Sequence, residues 1–161
     1  MTVEYRVGTG ADAHALADGR PLILGGVAIS HPRGLAGHSD GDVLSHAIID
    51  ALLGAAGAGD IGMHFPPGDS SLAGISSLLL LERTAGVIAG DGWCIVNVDA
   101  TMLAQRPRLS PHVAEMRGNI AAALSIQPPQ ISVKATTTDY LGFTGREEGI
   151  AATAVALLSR S

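Results

Sequence analysis

The stretch GHSDGDVLSHAIIDALLG, Gly37 to Gly54, is polar in its first half and apolar in its second. On a helical wheel of about 100° per residue, Leu44, Ile48, Ala51 and Ala55 fall on one stripe, the core face. Asp42, His46 and Asp50 fall on the other side. Ile49 and Leu53 flank His46, so this second face is not simply wet. It is either a solvated face or one that holds something. Aromatic residues make up only 3% of the chain, so whatever the first stripe packs against is built from Ala, Val, Ile and Leu.

The 161 residues, with 47% hydrophobic and 16% charged, predict one domain over 1–161 with a single core. PLILGGVAIS reads as a hairpin around Gly25-Gly26. WCIVNVDATMLAQ alternates Cys94, Val96, Val98, Ala100 and Met102 against Trp93, Ile95, Asn97, Asp99 and Thr101, which predicts a long strand. QISVKATTT predicts another. Helices are expected near 40–57, 75–90, 110–125 and 148–159, the third with Ser110 as N-cap and Pro111 at the first helical position. The fold class is α+β: one sheet with helices packed on one face. The bare face would then need a partner, and the lightly charged, Ala- and Gly-rich composition agrees with an oligomer.

A formal charge of −5 and the lack of a Lys/Arg run argue against nucleic-acid binding. Cys94 is the only cysteine, so no intrachain disulfide forms, and it is expected as a small buried strand residue. MTVEYRVGTG lacks a signal-peptide pattern, and the run Leu78–Leu81 is too short to span a bilayer. The expected setting is cytoplasmic, away from membranes.

Chemistry concentrates in three places. In VGTGADAHAL, Asp12 and His14 are two apart. On an extended segment they point the same way, about 7 Å apart. A carboxylate and an imidazole so placed can grip one ion, and His46 from the helix would complete a set that leaves one position open. Asp42, one turn before His46, either orients its imidazole or is an ordinary first-turn acid. His38 precedes Ser39-Asp40, which look like a helix N-cap. His38 and Ser39 would donate to a phosphate there, or form an exposed capping region. Finally, in KATTTDYLGFTGREEG a strand ends in Thr136, Thr137 and Thr138 before Asp139 and a Gly-containing loop. It is either a polar turn or a phosphate site whose Asp139 meets Mg²⁺.

HSDGDVLSHAIIDALLGAAGAGDIGMHFP, AQRPRLSPH and KATTTDYLGFTGREEGIA together closely resemble the 2-C-methyl-D-erythritol 2,4-cyclodiphosphate synthases of the non-mevalonate isoprenoid pathway. The resemblance runs from Val7 to about Leu158. It implies a homotrimer, sheets toward the centre, with active sites between adjacent subunits. It implies conversion of 4-diphosphocytidyl-2-C-methyl-D-erythritol 2-phosphate into the cyclic diphosphate and CMP, by attack of the 2-phosphate on the β-phosphorus. Zinc would be bound by Asp12, His14 and His46, and Mg²⁺ or Mn²⁺ on the diphosphate by Asp139. The transition-state contacts match His38 and Thr137.

Substrate contacts implied by the same resemblance begin with the metal segment Asp12-Ala13-His14. The erythritol phosphate pocket matches His38-Ser39, Asp60-Ile61-Gly62 and the loop Phe65-Pro66-Pro67-Gly68-Asp69. Cytidine and its phosphates match Ala104-Gln105-Arg106, Pro107-Arg108, Leu109-Ser110 and Thr136–Asp139, supplied by the neighbouring subunit. Phe143 and Arg146 match residues near the substrate and the central channel. The chain departs from the family pattern in three places. Ala11 stands before the metal Asp where an aromatic is common. Asp139 is one methylene shorter than the usual Glu. Pro67-Gly68 replaces acidic and hydroxyl residues. Two other functions fit the same residues: a zinc phosphohydrolase that activates water, and a trimeric cytidine-nucleotide-binding protein without turnover.

Overall fold

In the computed structural model, which describes residues 2–161, a long strand β1 (Glu4–Asp18) opens the chain. Its even-numbered positions face helix α1 (Val43–Ala56), and its odd-numbered ones face away. Two glycines make this contact possible. A Cβ on Gly8 would lie 2.1 Å from the Ala51 carbonyl oxygen, and one on Gly10 1.9 Å from that of Ala47. Strand and helix backbones therefore touch directly, over the small residues Ala47, Ala51 and Ala55.

A short hairpin follows, β2 (Leu22–Leu24) and β3 (Val27–Ile29), and then edge strand β4 (Arg33–Leu35). Gly25 and Gly26 have φ of 55° and 71°, as the tight hairpin turn needs. Both turn amides donate to the Asp42 carboxylate, at 3.0 and 2.9 Å. The same carboxylate accepts from the Ser45 amide and hydroxyl. Asp42 is fully buried and caps α1. The desolvation that pushes its carboxyl upward is opposed by the Ser45, Gly26 and Gly25 amides. It settles both sequence alternatives differently: Asp42 neither orients His46 nor sits as a wet first-turn acid, but pins the hairpin to the helix start.

Beyond the short helix α2 (Ile61–His64) come α3 (Ser77–Gly90), β5 (Cys94–Leu103), α4 (Val113–Leu124), β6 (Ile131–Thr136), the one-turn α5 (Gly142–Gly145) and β7 (Gly149–Arg160). The main sheet has order β4-β1-β7-β5-β6, with only β5 and β6 parallel. The fold class is α+β as expected, although the hairpin forms a separate two-stranded sheet rather than joining a single one. Helix α1 covers β1 and β7, α4 covers β6, and α3 packs on α1 and α4. The opposite face is bare: Tyr5 and Val7 are 62% and 65% exposed, and Val155 is 45%.

The largest departure is the C-terminus. The segment expected as a helix over 148–159 is the central strand β7, paired to β1 and β5. Its Ala content favours helix. Yet Ile150, Ala152, Ala154, Ala156 and Leu158 are buried in strict alternation, and the small side chains let α1 approach. Cys94 is exposed, not buried. A bulge between Ile95 and Asn97 swaps the faces, so Trp93 goes inward before it and Val98, Ala100 and Met102 after it. Ser110 starts a 3₁₀ turn ahead of α4 rather than capping the helix, and its hydroxyl accepts from Arg108.

The strand–helix contact makes a signed prediction. Gly10→Ala inserts a methyl into the Ala47 carbonyl and should lower stability by at least about 1–3 kcal/mol. Gly86→Ala, in the exposed middle of α3 with open space around it, should raise stability by roughly 0.5–1 kcal/mol. Urea midpoints of both variants check it; a neutral Gly10→Ala would mean the two backbones have room to part.

Candidate functional site

Two and four residues beyond Gly10, on the same face of β1, lie Asp12 and His14. Helix α1 brings His46 against them. Asp12 Oδ2 is 2.8 Å from His14 Nε2 and 3.1 Å from His46 Nδ1, and the two nitrogens are 3.1 Å apart. One oxygen and two nitrogens thus converge from strand and helix, all within 4.8 Å of one another. The far side of the His14 ring is committed: Nδ1–H donates to the Ala36 carbonyl, so in the neutral ring the lone pair is on Nε2, facing Asp12 and His46.

Burial alone would raise the Asp12 carboxyl, but the His14 and His46 hydrogen bonds outweigh it and hold it well below the usual carboxylate range. The Asp12 hydrogen bond in turn raises His14 against its partial burial. Two imidazole nitrogens this close to each other and to a carboxylate oxygen require a proton or a cation between them. The O,N,N donor set fits a divalent transition ion better than Ca²⁺ or Mg²⁺, which prefer all-oxygen cages. The residues read from spacing are therefore brought together.

The cluster opens into a cavity of about 250 Å³ that also touches His38, Ser39, Ile61, Gly62, Phe65 and Pro67. Its apolar wall is Leu72, Ile75 and Leu80, which nothing in their hydrophobic runs marks as site residues. The loops around it are self-braced. Asp50 Oδ1 accepts from the Ile61 amide at 2.8 Å, and Asp60 caps α2 through the Met63 amide. Asp69 accepts from Ser71 through its side chain and from His38 Nε2 through its carbonyl. Pro66, Gly68 and Asp69 are exposed outside the cavity lining, and Ala13, exposed on β1, also lies outside it.

His38-Ser39 do not form a helix N-terminus. Helix α1 begins at Val43, and the Asp42 carboxylate already occupies its cap, so an anion has no place there. His38 is exposed at the rim, while Ser39 is buried with its hydroxyl 3.1 Å from His46 Nε2.

A second cavity, of about 530 Å³, shares no residue with the first. Ala104 to Ser110, the segment after β5, makes one wall, and Ala135, Thr136, Thr137 and Tyr140 make the other. The three threonines divide. Thr138 donates to the Leu141 carbonyl at 2.6 Å and bonds the buried Thr144 hydroxyl, so it braces the loop. Thr137 is exposed and held only by long contacts to Asp139, 3.4 and 3.3 Å. Asp139 and Tyr140 both adopt positive φ, 50° and 64°, a strained loop conformation of the kind that gathers at binding sites. Tyr140 is held by Gln105, whose side chain accepts from its amide. Phe143 and Arg146 line neither cavity: Phe143 is exposed, and Arg146 forms a forked pair with Glu148.

With these two cavities in view, similarity to known proteins is informative. Residues 5–159 match the YgbB family. A Syntrophomonas wolfei protein named 2-C-methyl-D-erythritol 2,4-cyclodiphosphate synthase is 58% identical over 97% of this chain and 99% of its own length. A Plasmodium falciparum IspF structure in complex with CDP superposes with a TM-score of 0.83 and 36% identity, over 96% of this chain and 95% of that one. The bifunctional IspDF of Campylobacter jejuni matches with a TM-score of 0.95 and 41% identity over 99% of this chain, which spans 43% of that longer protein. On the length, identity and fold of these matches, the chain belongs to the YgbB family of 2-C-methyl-D-erythritol 2,4-cyclodiphosphate synthases.

Proposed function

We propose that this chain converts 4-diphosphocytidyl-2-C-methyl-D-erythritol 2-phosphate into 2-C-methyl-D-erythritol 2,4-cyclodiphosphate and CMP, as a cytoplasmic phosphorus–oxygen lyase. The observation that carries the reading is the convergence of Asp12, His14 and His46 within 4.8 Å in a chain of this family. Those three residues would hold zinc. Bound there, the ion would supply Lewis-acid neutralisation of a phosphate oxygen. Asp139 is read as the carboxylate for magnesium on the diphosphate. Its short side chain and exposed position agree with contact through water.

The substrate contains both reacting groups. A 2-phosphate oxygen forms a bond to the β-phosphorus, the bond from that phosphorus to the bridging oxygen breaks, and CMP leaves with the electron pair. No protein nucleophile is consumed, so the residues act by positioning and charge neutralisation. Thr137, whose hydroxyl is only loosely engaged, is free to turn toward phosphate, and His38, held at the cavity rim by the 2.9 Å bond from its Nε2 to the Asp69 carbonyl, would meet phosphate through its other ring nitrogen. Ala104 to Ser110 and Thr136 would seat the cytidine half, and the Ile61–Pro67 loop the erythritol half.

The two halves line separate cavities within one chain, which supports a homotrimer whose sites form between subunits. The bare sheet face supports the same reading. On it Asp99 takes a 2.7 Å ion pair from Lys134 through Oδ2, while its Oδ1 is shielded from water without a partner among the described residues. A buried lone oxygen of this kind is satisfied if a second chain covers the face.

Phosphorus NMR of the product tests the activity. A single cyclic diphosphate is expected, whereas free phosphate would indicate a hydrolase and unchanged substrate a binding protein. His46→Ala should abolish turnover and lose the zinc while the fold survives; full zinc content in that variant would remove His46 from the ligand set. Mixing His46→Ala and Thr137→Ala chains should restore part of the activity through hybrid interfaces, and complete failure in verified mixed trimers would place the whole site within one chain. Thr137→Val keeps the shape and removes the donor. Losing a hydrogen bond to charged phosphate should lower kcat about ten- to a hundredfold, corresponding to roughly 1.5–3 kcal/mol, with little change in KM. A rise in KM at constant kcat would assign Thr137 to ground-state binding instead.

A further inference from the structure

The side of the His46 ring that faces away from Asp12 is buried, and Asp40 and Ser77 on that side have no part in the reading above. There Nε2 lies 2.9 Å from the Ser77 hydroxyl and 3.1 Å from that of Ser39. Ser77 is the first residue of α3 and is completely buried. Its hydroxyl is also 2.5 Å from Asp40 Oδ1, the separation of a hydroxyl donating to a carboxylate. Asp40 Oδ2 accepts the Ser77 amide at 2.9 Å, and Oδ1 accepts the Asp42 amide, so the carboxylate is held rigidly by two segments.

With Asp40 ionised, the contacts in this chain order the hydrogens in one direction. A carboxylate has no hydrogen to give, so the single hydrogen of Ser77 Oγ goes to Asp40. Its lone pairs then face His46 Nε2, which must carry hydrogen to bond them. In the neutral ring Nδ1 then carries the lone pair, and it points at Asp12 and His14. Ser39 does not impose this order. Its hydroxyl accepts from the Gly41 amide, but no carboxylate claims its hydrogen, so it can bond Nε2 in either sense.

We propose that Asp40 and Ser77 are positioning residues: the Asp40–Ser77–His46 chain locks His46 in the Nε2–H tautomer and turns Nδ1 toward the metal position. This deepens the reading of Asp12, His14 and His46 as a metal set and rests on it. The arrangement parallels His14, whose far nitrogen is committed to the Ala36 carbonyl. Both histidines arrive with the ligating nitrogen chosen in advance, one by backbone and one by a buried serine. An outer partner of a ligating histidine changes metal affinity by about 10- to 100-fold when removed.

The test uses full-length protein and two readouts besides activity. The first is the imidazole nitrogen-15 spectrum of metal-free protein, which reports the His46 tautomer directly. The second is zinc affinity by competition with a chromophoric chelator. Wild type should show Nε2–H at His46. Ser77→Ala should give a mixture of tautomers and bind zinc about 10- to 100-fold more weakly. Ser39→Ala, which leaves the Asp40–Ser77 link intact, should keep the wild-type tautomer. Asp40→Asn, which replaces the anionic acceptor by a neutral amide, should shift tautomer and affinity in the same direction as Ser77→Ala, and it carries the test if Ser77→Ala does not fold. An unchanged tautomer and unchanged affinity in Ser77→Ala or Asp40→Asn would overturn the proposal. So would an equal loss of the tautomer in Ser39→Ala. Wild type that takes up no zinc while its tautomer still depends on Ser77 would instead remove the metal reading and leave the lock standing.

Discussion

Everything at the candidate site depends on how closely α1 lies on β1. Gly8 and Gly10 have no side chains to hold the backbones apart, and a single Cβ at either would overlap the helix. That contact sets the register between strand and helix. Once Gly10 sits against Ala47, the next inward positions on β1 are Asp12 and His14, and the histidine one residue before Ala47 meets them. The O,N,N cluster is thus a by-product of backbone packing. The same packing explains the small residues along β7, whose Ala152, Ala154 and Ala156 lie buried on the helix-covered face.

Around that contact, two carboxylates, Asp42 buried and Asp40 partly buried, do structural work. Asp42 accepts four hydrogen bonds and ties the β2–β3 turn to the start of α1. Asp40 performs a similar task for the start of α3. Asp42 is tolerated in the interior because donors surround it and would be strongly destabilising without them, while Asp40 is only partly buried. Between them they place the Gly37–Asp42 segment, with His38 on its exposed side and Ser39 on its buried side. A short stretch rich in polar residues therefore separates into bracing and site functions according to which way each side chain points.

The two cavities express a division of labour within the chain. The α1 side carries the Asp12, His14, His46 cluster and an apolar wall. The ends of β5 and β6 carry the loosely held Thr137, the strained Asp139-Tyr140 turn and the Ala104–Ser110 wall. Neither is a complete enclosure for a substrate with a nucleotide at one end and a phosphorylated polyol at the other. A bare sheet face with the unpaired Asp99 oxygen lies on the same subunit. The proposed trimer would answer both the incomplete sites and the uncovered apolar surface, with neighbouring copies bringing opposite halves together.

Much of this was legible in the sequence, because local periodicity and residue chemistry are local properties. The Gly25-Gly26 hairpin, the strands over Cys94–Leu103 and Ile131–Thr136, helix α1 and the Asp12, His14, His46 set all follow from spacing alone. The family motifs pointed to the chemistry. Other features are decided only by tertiary contacts. Residues 149–160 have a helix-favouring composition, yet they form the central strand because two flanking strands and α1 can all be satisfied only by an extended chain with small inward residues. The bulge at Val96 puts Trp93 on the same buried face as Val98, Ala100 and Met102, and no pattern in the run announces it. The roles of Asp42, Asp40 and Ser77 depend on hydrogen-bond partners many positions away, such as Asp40 and Ser77 meeting across 37 residues of chain. A sequence specifies which residues can donate, accept or ligate. Which of those groups are desolvated together, and therefore compelled to pair, is settled only when the backbone closes around them.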